Sequence, residues 1–323
     1  MITEVIGMEN KIKLFAVCGP TASGKTALSI ALAKKFDGEV VSCDSMQIYK
    51  GMTIGTAKPT EEEMQGVPHY PLGFCDPADT FSVVDFTTLA GEAIRDITAR
   101  GKKAFLVGGT GLYARSLLRA VPFTENSRDD AVRAALQAEF EKEGIEGIYA
   151  RLQEADPESA EQIHPNNTKR VIRAMEYYMV AGEPFSAQAK ASKLVESDYD
   201  YVMLCLDYRD REVLYERINR RVDLMLEAGL LDEARMYYEQ YGTSGKTSVQ
   251  AIGYKELFPY FDGKCTLEEA VENIKRETRR FAKRQLTWFR REENTVWLYV
   301  DEYKSADELI RAAEEIAALH FER

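Results

Sequence analysis

Residues Gly19-Pro20-Thr21-Ala22-Ser23-Gly24-Lys25-Thr26 follow the pattern G-x-x-x-x-G-K-[ST]. That spacing has a chemical purpose. Gly19 and Gly24 let the backbone turn tightly and aim its N–H groups at one point, and the helix that follows adds its positive dipole end. Lys25 contributes a full charge, and Thr26 a hydroxyl suited to Mg²⁺. A nucleoside triphosphatase would also place an Asp at the end of another strand to hold that ion. Two acids compete for the position, Asp44 in VVSCDS and Asp207 in VMLCLD, whereas AFLVGGTGLY ends its strand in glycines and Thr110. The loop therefore marks a polyphosphate site without specifying a nucleotide. Asp44 has a second possible use. A carboxylate at a strand end beside the loop lies where open α/β sheets bind ligands, and it could accept a proton from a poor nucleophile.

Other charged residues are grouped. Arg217 and Arg221 are four apart and share a helix face. Either they meet the same anion, or they pair with Glu212, Glu216 or Asp223 on their own helix. Lys275 to Arg291, KRETRRFAKRQLTWFRR, carries eight cations against one acid, Glu277, in a chain of net charge −11. An unpaired cluster of that density repels itself, so it reads as a surface for nucleic-acid phosphates. Lys169, Arg170 and Arg173 form a smaller basic group, and Gln250 to Lys255, QAIGYK, a glycine-broken turn with an amide and Tyr254. Phe281, Trp288 and Phe289 read as packing residues, and the lone His69 and His164 do not suggest metal ligands.

These residues need a scaffold. Strand-like runs at 13–18, 39–43, 103–107, 201–206 and 296–300 alternate with helical patterns at 25–36, 86–100, 111–119 and 211–228. That alternation predicts a parallel sheet wrapped by helices. Between about Pro122 and Asp200 no strand pattern survives, and amphipathic stretches such as 128–143 and 167–180 predict a helical insertion. The expected organisation is a P-loop α/β core in 1–121, a helical insertion in 122–200, and the rest of the core with basic helices in 201–323. At 45% apolar and 29% charged residues the composition is that of a globular protein. No apolar run is long enough to cross a membrane and MITEVIGMENKI lacks a signal-peptide pattern, so a cytoplasmic protein is expected. The five scattered cysteines, without C-x-x-C, predict buried free thiols.

Six separated blocks carry a resemblance: GPTASGKT, SCDSMQIYKGMTIGTAKP, LVGGTGLY, HPNNTKRVIRAME, QAIGYKE and TRRFAKRQLTWFR. In this order they resemble the tRNA dimethylallyltransferase (isopentenyl-diphosphate:tRNA transferase) family, from Leu14 to about Leu298. The bacterial form is expected, because no zinc-finger tail follows before Arg323. The resemblance implies that the loop holds the diphosphate of dimethylallyl diphosphate rather than ATP. The prenyl group would pass to the exocyclic amine of the adenosine 3′ of the anticodon in tRNA. It implies Asp44 as general base, with Thr110 contacting that acid or the RNA. Diphosphate contacts would come from Gly19, Thr21, Ala22, Ser23, Gly24, Lys25 and Thr26 with Arg217 or, more so, Arg221. Thr26 would be the Mg²⁺ ligand. tRNA contacts would come from Asp44, Ser45, Met46, Gln47 and Thr110, and from Arg133, Lys169, Arg170 and Arg173. Gln250, Arg279, Lys283, Arg284 and Gln285 would complete that surface. Family members often have a small residue where this chain has Met46. The partners implied are a tRNA anticodon stem-loop and dimethylallyl diphosphate, with the enzyme a monomer. Three rivals remain: a P-loop small-molecule kinase, a non-catalytic RNA-binding protein, and a transferase acting on free adenine nucleotides.

Overall fold

In a computed structural model, residues 11–119, 129–243, 247–293 and 295–322 are described. Six strands form one sheet in which every pairing is parallel. They are β1 (Ile12–Cys18), β2 (Gly38–Ser42), β3 (His69–Tyr70), β4 (Lys103–Gly108), β5 (Tyr199–Asp207) and β6 (Thr295–Tyr299). The order across the sheet is β3-β2-β4-β1-β5-β6. On one side of β1 lie β4, β2 and β3, the chain returning from β3 to insert β4 beside β1, and on the other lie β5 and β6. β1 is therefore the switch point, where a parallel sheet opens a crevice at the carboxyl ends of its strands.

Alternation along β1 explains why it is buried on both faces. Leu14, Ala16 and Cys18 pack with Phe86, Ala90, Ile94 and Ile97 of helix α3 (Val83–Ala99). Phe15 and Val17 point the other way, into Leu28, Ile30 and Leu32 of helix α1 (Lys25–Lys35) and Leu309, Ala313 and Ala317 of the closing helix Ala306–Glu322. Helix α2 (Glu61–Met64) and α3 begin at capping boxes, Thr60 with Glu63 and Ser82 with Asp85. Helix α4 (Gly111–Leu118) follows β4.

The chain divides into two compact units, with Arg119–Asp198 forming the second. The predicted start of the insertion at Pro122 lies outside the described residues. The second unit is helical: α5 (Asp130–Glu143), α6 (Glu146–Ala155), α7 (Pro157–Gln162), α8 (Thr168–Ala181) and α9 (Phe185–Leu194). Its own core is built on Leu136, Ile148, Leu152, Ile163, Val171 and Ile172. After β5 come α10 (Arg211–Glu227), α11 (Leu230–Tyr241), α12 (Phe258–Phe261) and the long basic helix α13 (Leu267–Phe289). After β6, α14 (Ala306–Glu322) closes the chain. The fold is the predicted one: a parallel sheet flanked by helices, a helical insertion and a mostly helical C-terminal portion. All five cysteines are free thiols, four buried and Cys265 half-buried. Among the described residues no helix is long and apolar enough to cross a membrane.

Candidate active site at the switch point of the sheet

The loop after β1 needs its glycines for two different reasons. Gly19 has φ +136°, and a Cβ there would sit 2.7 Å from the carbonyl oxygen of Leu206 on β5. Gly24 has open space around it but takes φ +92° as the N-cap of α1. Ala22 also lies in the left-handed region, at φ +62°, a conformation that costs a non-glycine residue energy unless its surroundings enforce it. Two side chains do so. Arg217 Nε on α10 donates to the Ala22 carbonyl at 3.1 Å, and Gln285 Oε1 on α13 accepts from Thr21 N at 2.9 Å. The Thr21 N–H is thus committed within the protein. The backbone donors left to an anion are those from Ala22 to Thr26, and Thr21 keeps only its hydroxyl for such a contact.

Asp44 stands just beyond the end of β2. Cys43 N donates to Val107 O at 2.7 Å, carrying the strand pairing one residue past Ser42. The Asp44 Oδ1 atom accepts from Met46 N at 2.9 Å and more weakly from Gln47 N at 3.4 Å. Thr110 reaches this turn from the end of β4. Its Oγ1 accepts from Ser45 N at 3.1 Å and its own N–H donates to Cys43 O at 3.2 Å. Thr110 therefore grips the residues on either side of Asp44. The glycines around it are required by close approach. A Cβ on Gly108 would meet Cys43 O, one on Gly109 would meet Gln285 Nε2 and one on Gly111 would meet Trp288 Cδ1, each at 2.1 Å.

Charges converge here. Burial lowers the Lys25 ammonium to about 8, the nearby Arg221 guanidinium pushes it the same way, and Asp44 opposes both. Burial raises the Asp44 carboxyl, against the Met46 amide, Lys25 and Arg221. Burial lowers Arg221, with Asp44 as the largest opposing influence. One carboxylate and two cations thus sense one another at the mouth of the loop. Lys25 Nζ itself donates to Pro20 O at 2.5 Å. Of the two readings of the arginine pair, ion pairing along their own helix is not seen. Arg217 holds loop backbone, Asp223 pairs with Lys275 at 2.8 Å, and neither Arg217 nor Arg221 forms an ion pair among the described residues.

Asp207 is not available to a metal. It is 1% exposed, and its carboxylate accepts from Tyr208 N at 2.7 Å, Arg211 at 2.6 and 3.1 Å, and Arg290 at 3.1 Å. That saturation removes one of the two acids open to the kinase reading and leaves Asp44 as the other.

Several expected RNA contacts are engaged inside the protein. Gln285 is 5% exposed with both ends of its amide used, the second donating from Nε2 to Gly109 O at 2.9 Å. Gln47 accepts from Ser42 Oγ and donates to the carbonyls of Thr56 and Ala57. Arg133 and Arg173 flank the fully buried Glu176 at 3.2 and 3.1 Å. A buried carboxylate needs such partners, so both arginines balance Glu176 while remaining partly exposed. Arg279 donates to Asn219 at 2.6 Å. The cationic cluster is also less bare than its sequence implied: Lys275, Arg280 and Arg290 form ion pairs with Asp223, Glu277 and Asp207. Lys169, Arg170, Gln250, Lys283 and Arg284 are exposed. Arg280, Lys283, Arg284, Thr287, Trp288 and Arg291 line an open hollow of about 480 Å³.

Sequence reasoning missed Glu233. Its buried carboxylate accepts from three consecutive amides, Thr53 N at 2.9 Å, Ile54 N at 2.9 Å and Gly55 N at 3.0 Å, and from Tyr254 Oη at 2.6 Å. This junction fastens the GTAKP block to QAIGYK, and Gly55 is glycine because the Tyr254 ring would lie 2.4 Å from a Cβ. A signal was present. Glu233 interrupts the apolar stripe Leu230, Ala234 and Tyr237 of α11, as Gln285 interrupts Ala282, Leu286 and Phe289 of α13. A polar residue on a buried stripe announces a partner.

Fold and loop together define the class: an open parallel α/β protein with a glycine-rich loop between β1 and α1 and a carboxylate beside it. Family models described as IPP transferase and isopentenyl transferase match residues 47–292 and 12–70. A tRNA dimethylallyltransferase from Bacillus subtilis is 51% identical over 279 residues, covering 86% of this chain and 88% of that one. The crystal structure of a full-length tRNA isopentenylpyrophosphate transferase from Bacillus halodurans superposes with a TM-score of 0.73 at 46% identity, covering 97% of both chains. A eukaryotic dimethylallyltransferase, in crystallographic snapshots acting on tRNA, superposes with a TM-score of 0.80 at 31% identity over 95% of this chain and 79% of that one. The chain belongs to the tRNA dimethylallyltransferase family.

Proposed function

We propose that this protein transfers the dimethylallyl group of dimethylallyl diphosphate to the exocyclic N6 amine of the adenosine 3′ of the anticodon in tRNA, releasing diphosphate. The observation that carries the reading is the convergence of Lys25, Arg221 and Asp44 at the mouth of the loop. The N6–C1 bond forms as the C1–O bond breaks, and the electron pair of that bond leaves with the diphosphate. Amides from Ala22 to Thr26, with Lys25 and Arg221, meet the charge that builds on the leaving oxygens, where fixed donors are worth most. The proton leaves N6 for the Asp44 carboxylate. An all-oxygen set of the Thr26 hydroxyl and diphosphate oxygens fits Mg²⁺. When bound, that ion would neutralise diphosphate charge.

Nucleoside analysis of tRNA incubated with the protein, dimethylallyl diphosphate and Mg²⁺ should yield N6-dimethylallyladenosine. ATP in place of the prenyl donor should yield no product, and AMP in place of tRNA little. An unmodified tRNA would overturn the proposal, and equal prenylation of AMP would reassign the acceptor.

Two basic surfaces, each within its own unit, are proposed to meet tRNA phosphates: the outward face of α13, and the exposed Lys169 and Arg170. A base must leave its stack to reach a closed site, and phosphate contacts offset that cost. Lys283→Ala with Arg284→Ala should weaken binding of an anticodon stem-loop and lower its log–log salt slope by about one unit per lost contact. Weaker binding at an unchanged slope would mean that these residues act through folding.

A further inference from the structure

Helix α13 has two faces with different duties. Outward lie Lys283, Arg284, Thr287 and Arg291 around the open hollow. Inward, the helix touches both halves of the active site. Leu286 packs in one cluster with Ala22 of the loop, and Trp288 lies against Gly111, one residue past Thr110. Between these contacts Gln285 spans the gap, accepting from Thr21 N and donating to Gly109 O, both at 2.9 Å.

The fit is chemically specific. Thr21 presents a donor and Gly109 an acceptor, so the side chain between them must accept at one terminal atom and donate at the other. A carboxamide does this. A carboxylate offers only acceptors, and a thioether of similar length offers no comparable bond. Gly109 is itself shaped to the contact, since a Cβ there would fall 2.1 Å from Gln285 Nε2. Gln285 is 5% exposed and its bond to Gly109 O is buried, so losing that bond would leave a buried carbonyl unpaired, while the partly buried Thr21 N–H would lose its acceptor.

We infer that Gln285 is a positioning residue for the reaction proposed above, fixing the diphosphate loop against the Thr110 turn. Through Thr21 it sets the direction of the amides that follow, Ala22 to Thr26. Through Gly109 it sets Thr110, which holds Ser45 and Cys43 on either side of Asp44. One amide therefore fixes the distance between the leaving diphosphate and the group that takes the proton. Misplacing either by about 1 Å is enough to cost on the order of 10²-fold in rate.

The test compares Gln285→Met and Gln285→Glu with the wild type. Met keeps the length and apolar packing without the two hydrogen bonds. Glu keeps the acceptor toward Thr21 but sets a second acceptor against Gly109 O and adds charge beside the anion loop. Both variants should bind the anticodon stem-loop as the wild type does. Met should raise the donor KM about 10-fold and lower kcat about 10-fold, whereas Glu should raise the donor KM further. A Met variant within twofold of wild type in both constants would overturn the inference and reduce Gln285 to packing. So would loss of stem-loop affinity in step with melting temperature. If the wild type does not prenylate tRNA at all, the proposed reaction fails instead. A wild type that prenylates tRNA while Met is unaffected removes only the role of Gln285.

Discussion

Asp44→Asn should slow prenyl transfer on the order of 10²-fold or more while both substrates still bind, the usual contribution of a positioned general base. Asn keeps the size of the side chain and an oxygen to accept from the Met46 amide, but it takes up no proton. The carboxylate is well placed for its task. One oxygen is held by Met46 N and Gln47 N, and the other has no hydrogen bond among the described residues. Burial raises its pKa above the ordinary aspartate range, against Lys25 and Arg221, and this makes it a stronger base at neutral pH. The sign follows directly. The base works deprotonated, so the wild-type rate should fall as pH drops through the raised pKa, and that acid limb should vanish in Asp44→Asn. Binding measurements separate a base from a metal ligand. Loss of donor affinity with partial rescue by excess Mg²⁺ would indicate the ligand role. Turnover within a few-fold of wild type would exclude both.

Lys25→Ala should lower kcat/KM for dimethylallyl diphosphate on the order of 10²- to 10³-fold, the effect of removing one strong donor from a developing anion. Stem-loop affinity should be unchanged. Lys25 enters the free protein half-buried, near a second cation, and bonded to the Pro20 carbonyl. Both burial and Arg221 disfavour its charge, bringing it down to about 8. An arriving diphosphate would reverse that balance by supplying a counter-charge. Donor kcat/KM should therefore decline as pH rises past about 8, because the free protein then loses the ammonium. The corresponding limb of kcat should lie at higher pH, since bound diphosphate stabilises the charged form. Unchanged donor kinetics in Lys25→Ala, or an alkaline limb that survives in it, would remove Lys25 from the site.

The two variants probe opposite sides of one electrostatic arrangement. Lys25 and Arg221 repel each other and both attract Asp44, so the two cations oppose the protonation of the carboxyl that its burial favours. Diphosphate binding would satisfy the cations and leave Asp44 less stabilised as an anion, hence a stronger base when the amine attacks.

Much of this was legible in the residues alone. The Gly19 to Thr26 loop, the strands beside it, the placement of Asp44 at a strand end and the helical nature of the insertion follow from local spacing. Apolar period and turn chemistry act over a few residues and need no distant partner. The order of motif blocks sufficed to indicate the family. What the sequence could not decide were pairings across long separations. Gln285 reads as one polar residue in a basic run, yet it meets Thr21 across 264 positions and Gly109 across 176. Glu233 reaches Thr53 across 180, and Asp207 is closed off in part by Arg290, 83 residues away. Arg133 and Arg173 read as cations for RNA alone, yet α5 and α8 bring both to the buried Glu176. A side chain's type states which bonds it can make. Which partner lies within about 3 Å is set by the packing of sheet and helices, and that packing divides the cations and amides into those that face solvent and those that hold the site together.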